Sequence, residues 1–155
     1  MEVQFDETSL EQKFKEAENI LLNSENVTLV EYEDYNHESF DKYNQELLKM
    51  ISQKPIVYCI WTGPSQKELQ CKYIGHVGKK YSRQRLRNHL TKKHERTGAQ
   101  LKNTIKALSE KYVVGISFIR TEPHYMRKAL EDWLIDNNSK NLDWNISGRR
   151  KIKNT

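Results

Sequence analysis

Apolar residues recur along this chain with two different periods, and the points where one gives way to the other divide it into elements. Leu10, Phe14, Ala17 and Leu21 keep the i, i+4, i+7 spacing of one helical face, with Ser9 and Gln12 placed as its capping box. Val27-Thr28-Leu29-Val30 is a β-prone segment, and Phe40, Tyr43, Leu47 and Met50 mark a second helix ending near Pro55. Ile56-Val57-Tyr58-Cys59-Ile60-Trp61 is then apolar without a break, as expected of a strand covered on both faces. Gly63-Pro64-Ser65 ends it, and the chain returns through Cys71-Lys72-Tyr73-Ile74-Gly75. An antiparallel hairpin is the simplest geometry for such a return, and it puts Tyr58 and Tyr73 on neighbouring strands.

Beyond the hairpin, Ser82 can cap a helix that turns Leu86 and Leu90 to the core while Arg85 and His89 share another face. Leu101, Ile105 and Leu108 build a further helix after Gly98, and a third strand is predicted from Tyr112 to Ile119. Thr121-Glu122-Pro123 opens the last helix, with proline where its missing N–H does no harm and Met126, Leu130, Trp133 and Leu134 on the apolar side. A loop and a basic tail follow. This order predicts an α/β fold: a small antiparallel three-stranded sheet flanked by helices over residues 55–155, preceded by an acidic helical extension at residues 1–54. No run approaches the roughly 20 apolar residues of a membrane span, and the N-terminus lacks a basic start followed by an apolar stretch. The expectation is a soluble cytoplasmic protein without a membrane partner.

Charge changes the picture more than composition does. Residues 1–54 carry 5 Lys/Arg against 13 Asp/Glu, whereas residues 55–155 carry 21 against 8. Between Lys72 and Lys111, twelve basic residues face only Glu95 and Glu110. Such a stretch attracts polyanions by releasing their counterions, and nucleic acid is the obvious partner. The two cysteines, Cys59 and Cys71, are too few for a disulfide framework and read as reduced thiols. With His76 they could meet across the hairpin, but a zinc site there has no evident fourth ligand.

Five features, in order, resemble the GIY-YIG nuclease family from Pro55 to about Arg149. Ile56-Val57-Tyr58 stands where the family has Gly-Ile-Tyr, and Tyr73-Ile74-Gly75 matches the second signature. Arg85 falls where the family's helix carries its catalytic arginine, with His89 one turn later; the Arg-x-x-x-His spacing favours Arg85 over Arg83. Glu131 in Leu130-Glu131-Asp132-Trp133 looks like the family's metal-binding glutamate, and Asn145 in Trp144-Asn145-Ile146 like its terminal asparagine. The departure is Ile56 in place of the first glycine. Each residue also has an ordinary reading: a cross-strand aromatic pair for the tyrosines, an ion pair of Glu131 with Arg127 or Lys128, a helix C-terminal cation for His89, a turn for Asn145.

The resemblance implies phosphodiester hydrolysis, which requires an activated water, neutralisation of charge on the phosphate and help for the leaving oxygen. Glu131 would hold a single Mg²⁺, with Mn²⁺ as a substitute, because Mg²⁺ keeps several waters and binds through one or two carboxylates. Tyr58 would deprotonate or orient the water, which asks for a phenol well below its usual pKa of about 10. Arg85 would fork onto phosphate oxygens, His89 would assist the water or the phosphate, and Tyr73 and Asn145 would complete the site. Candidate DNA contacts are Lys72, Lys79, Lys80, Arg83 and Arg87 around the first basic helix, Lys92, Lys93, Arg96 and Lys102 beyond it, and Arg149 and Arg150 in the tail. The expected products are a 5′-phosphate and a 3′-hydroxyl. With only about ten residues after Asn145, the compact class of small restriction enzymes and phage endonucleases fits best, and sequence-selective cleavage of double-stranded DNA is favoured. One site cuts one strand, so a homodimer or higher even assembly is expected.

Overall fold

A computed structural model of the chain describes residues 1–34, 36–91 and 100–145. Among them are six α-helices, α1 (Glu7–Leu21), α2 (His37–Tyr43), α3 (Gln45–Ile51), α4 (Ser82–Leu90), α5 (Leu101–Ser109) and α6 (Met126–Asn138), and four strands, β1 (Thr28–Leu29), β2 (Ile56–Gly63), β3 (Gln70–Val77) and β4 (Val113–Arg120). The strands form one antiparallel sheet in the order β1-β4-β2-β3. None of these helices is long and apolar enough to cross a membrane.

β2 is paired along both edges and buried at all eight residues, which is what its unbroken apolar run requires. Alternation along it divides the interior in two. Ile56, Tyr58 and Ile60 pack with Phe40, Leu47, Leu48, Ile51, Leu86 and Leu90, under α2 to α4. Val57, Cys59 and Trp61 pack on the opposite face with Leu21, Leu130 and Leu134, under α1 and α6. The acidic first third of the chain thus contributes to both halves of the core: Leu21, Phe40, Leu47, Leu48 and Ile51 are all buried, at about 1.5–3 kcal/mol each.

The sheet has four strands where three were expected. Thr28 and Leu29 pair with Ile116 and Gly115. The close approach depends on Gly115, where a Cβ would lie 2.3 Å from the Val27 side chain. The single helix expected across Phe40 to Met50 is two helices, broken at Asn44, which ends α2 and starts α3. At α1 the cap is Asp6 rather than a Ser9–Gln12 box: its carboxylate accepts from the Ser9 N–H at 3.3 Å and from the Ser9 hydroxyl at 2.7 Å. Ser82 is the first residue of α4 and not its cap, a position held by Tyr81. Pro123 lies in the turn before α6, its carbonyl accepting from the Met126 N–H.

Asn44 also closes one edge of the sheet. Its amide oxygen accepts from the Glu31 N–H at 2.8 Å, and its NH₂ donates to the carbonyls of Glu31 and Phe40, both at 2.9 Å. A side-chain amide offers one acceptor and two donors, so it can stand in for the neighbouring strand that an open edge would otherwise recruit. Asn145 does the same at the other edge, accepting from the Ile74 N–H at 2.9 Å and donating to the Ile74 carbonyl at 3.0 Å. Replacing the buried Asn44 by alanine leaves the Glu31 N–H and carbonyl without their partner, the Phe40 carbonyl still accepting from the backbone N–H of residue 44, and should lower stability by about 1–3 kcal/mol, read as an earlier midpoint in urea unfolding.

Candidate active site

Burial of β2 fixes the position of the Tyr58 phenol. The ring points into the core beneath α4, where its hydroxyl lies 2.6 Å from His89 Nε2. The Tyr73 ring, on the adjacent strand, completes a cluster with centroids 6.2 Å from Tyr58 and 5.1 Å from His89. Space for the phenol comes from Gly75, directly opposite Tyr58 in the β2–β3 register. A Cβ at Gly75 would lie 2.6 Å from the Tyr58 hydroxyl and 2.8 Å from the Tyr73 ring. The glycine of Tyr73-Ile74-Gly75 is therefore a packing requirement imposed by Tyr58.

Arg85 lies one turn before His89 on α4, half-buried, with its guanidinium close enough to both phenols to interact with them. Burial works against its charge, but Tyr58 and Tyr73 outweigh that and strengthen its hold on the proton. Glu131 stands on α6, on the other face of the sheet, close enough for charge to act between it and this group. Its charge acts on Tyr58 and Tyr73, and that of Arg85 acts on it. The carboxylate pairs with neither Arg127 nor Lys128; the basic side chain within 4 Å of it among the described residues is His76, with Nε2 3.8 Å from Oε2, whose imidazole burial and the Arg127 and Lys128 charges hold below its usual pKa.

Protonation in this site is set mainly by burial. The Tyr58 phenol is pushed well above its usual value of 10 by burial and by the proximity of Tyr73, against a weaker pull from Arg85. Tyr73 is likewise raised by burial. This reverses the expectation of a phenol depressed by cationic neighbours: one half-buried guanidinium does not offset the loss of water. Burial and the Arg85 charge lower His89 to about 3, so its imidazole is neutral. Its Nδ1 is buried with no hydrogen-bond partner. An orphaned lone pair costs less than an orphaned N–H, which favours the tautomer in which Nε2–H donates to the Tyr58 oxygen and leaves the phenol proton free for another acceptor. Burial and repulsion from Asp132 raise Glu131 to about 7, against the His76 amide, Arg85 and Lys128.

Asn145 is not aimed at this group. Both ends of its amide are engaged by Ile74, so it holds the Tyr73-Ile74-Gly75 strand in place. Among the residues expected to contact DNA, Arg83 and Arg87 are both held by Asp41 of α2: Arg87 Nε donates to its Oδ1 at 2.8 Å, Arg87 Nη2 to its Oδ2, and Arg83 Nη2 to Oδ2 at 3.2 Å. Lys72 pairs with Asp143 at 3.1 Å. Lys79, Lys80 and Lys102 are exposed, and Lys80 lies 5.5 Å from the Tyr81 ring centroid. Lys92, Lys93, Arg96, Arg149 and Arg150 lie outside the described residues. Among those described, no three His, Cys, Asp or Glu side chains are grouped to hold a metal, and Cys59 and Cys71 are free thiols. Sequence reasoning passed over His76 as a neighbour of Glu131, although strand alternation after Gly75 turns it to the α6 face.

No family model matches the chain, nor does any curated protein or solved structure.

A carboxyl that holds its proton to about pH 7, against 4.5 ordinarily, destabilises the fold where it must ionise. The unfolded glutamate gives up its proton first, so stability falls as pH rises from about 4.5 to about 7 and is level above. Glu131→Gln should therefore stabilise the protein at pH 8 by about 1–3 kcal/mol, after discounting for partial exposure, and not at pH 4. Urea unfolding at both pH values checks this.

Proposed function

We propose that this chain is a divalent-metal-dependent endonuclease with the GIY-YIG fold, cleaving double-stranded DNA sequence-selectively in the manner of a type II restriction enzyme. The observation that carries this reading is the grouping of Tyr58, Tyr73 and His89 with Arg85 at edge strand β3, and of Glu131 within reach of their charge from the other face of the sheet. These residues span the chain from position 58 to 131 and come from four elements. A partly buried carboxylate without a strong ion-pair partner, beside a half-buried arginine and two phenols, has no structural purpose that apolar side chains would not serve better.

Glu131 suits a hard divalent cation. It offers oxygen, its pKa of about 7 makes it ready to ionise when a cation arrives, and the absence of a third ligand among the described residues leaves most of the coordination sphere to water and phosphate, as Mg²⁺ prefers. Bound there, the ion would supply positive charge to the reacting phosphate. Arg85 directs its fork toward non-bridging oxygens, with Tyr73 holding it in orientation. The Tyr58 oxygen, bonded to His89 and beside the Arg85 charge, keeps a lone pair that would accept from the attacking water. Phosphate entering beside Arg85 brings negative charge that offsets the guanidinium and returns basicity to His89. With the imidazole proton moved to Nδ1, Tyr58 would donate to His89 Nε2 and pass its own proton there as its oxygen takes the one that the attacking water loses.

Incubation of the protein with plasmid and with long linear DNA, in Mg²⁺ or EDTA and alongside Glu131→Ala, tests this. Discrete fragments that require both Mg²⁺ and Glu131 are expected. A smear or nicks alone would favour a less selective endonuclease; a gel shift without cleavage would indicate a DNA-binding module on the same fold.

A further inference from the structure

Beside the site lies a cleft of about 540 Å³ bounded by the start of β2, the turn after β3 and the turn before α6. Its walls carry Lys54, Lys79, Arg120 and Arg127, and one carboxylate, Glu122, which is taken by Arg120 at 2.7 Å. Among the described residues Lys54, Lys79 and Arg127 have no carboxylate within 4 Å. Three cations gathered around one concavity repel each other, and the cheapest relief is an anion between them.

Arg127 is the most constrained of the three. Its Nη1 donates to the His124 carbonyl at 2.7 Å, which fixes the plane of the guanidinium. Its Nη2 lies 3.5 Å from the point where a Cβ on Gly78 would stand, so the guanidinium is laid against the turn after β3. Its Nε is buried and has no hydrogen-bond partner. A buried, unmet donor on a permanently charged group is costly, and an anion beside the guanidinium would offset that charge. Arg127 also stands four residues before Glu131 on α6, one helical turn or about 6 Å along the axis.

We propose that this cleft is a second phosphate site, in which Arg127, Lys54 and Lys79 grip the phosphodiester neighbouring the one held at Glu131 and Arg85. The assignment rests on the nuclease reading and gives it a direction: the cut strand runs from the β3 edge across the turn before α6. Arg127 and the two lysines neither touch the reacting phosphate nor read sequence; they fix the register of the strand.

The test is binding of a fluorescent DNA duplex, cut by the wild type in Mg²⁺, measured in EDTA over a range of salt. The proteins are wild type, Arg127→Gln, the triple variant Arg127→Gln/Lys54→Ala/Lys79→Ala, and Lys15→Ala as a control of equal charge change on the exposed face of α1. Each lost phosphate contact should reduce the slope of log K against log salt by about 0.9, so the single variant should lose about 0.9 and the triple about 2.7. Lys15→Ala should match wild type, and thermal melting confirms that each variant is folded. Arg127→Lys restores charge without the fork and should recover the slope but not the full affinity. A triple variant with wild-type slope and affinity, in a protein that binds and cuts DNA, overturns the cleft assignment alone. A wild type that neither binds nor cuts overturns it together with the nuclease reading.

Discussion

A phenol on a strand buried on both faces and paired at both edges has to find its hydrogen bond inside the protein. Tyr58 finds it at His89, 2.6 Å away, and much of the molecule is arranged around that contact. It sets the position of α4 against the sheet, requires Gly75 on the neighbouring strand, and brings Arg85 near the two phenols. β3 must then be held in register at its free edge, which the Asn145 amide does through Ile74.

The same burial governs the electrostatics. It keeps Tyr58 and Tyr73 protonated, His89 neutral and Glu131 half-ionised near pH 7. Without DNA and metal, then, the site sits close to charge balance apart from Arg85. Each component that the nuclease reading brings in supplies the charge that the resting site lacks: a cation ionises Glu131, and a phosphate offsets Arg85. On that reading the site would be inactive until both are present, and its loss of stability as pH rises is the counterpart of that readiness. Asp41 works in the same direction from outside by neutralising Arg83 and Arg87, its carboxyl held below the usual range by the two arginines against the effect of burial.

Sequence patterns gave the strands from Ile56, Cys71 and Tyr112 and the helices around Leu86, Leu101 and Leu130, because each has a strong period and buries one face. They also gave the membership of the Tyr58, Tyr73, Arg85, His89 and Glu131 group, through motif order. What escaped them is long-range. The two residues of β1 carry too little pattern to announce pairing with Ile116 and Gly115, more than 80 positions away. The break at Asn44 is invisible to hydrophobic spacing, since Phe40, Leu47 and Leu48 all face the core on either side of it. The phenol pKa was misjudged because charge can be counted along a chain whereas burial cannot. Asn145 was located by its motif, yet its part in closing the sheet edge required coordinates.

The central claim is that residues on two faces of the sheet act on one phosphodiester. A double-mutant cycle on single-turnover DNA cleavage in Mg²⁺ addresses it most directly, using Tyr58→Phe, Glu131→Gln and the two together. If they form one site, each single variant removes nearly all cleavage and the double variant is little worse than either. Independent, multiplicative losses, or cleavage by Glu131→Gln at the wild-type rate, would contradict it.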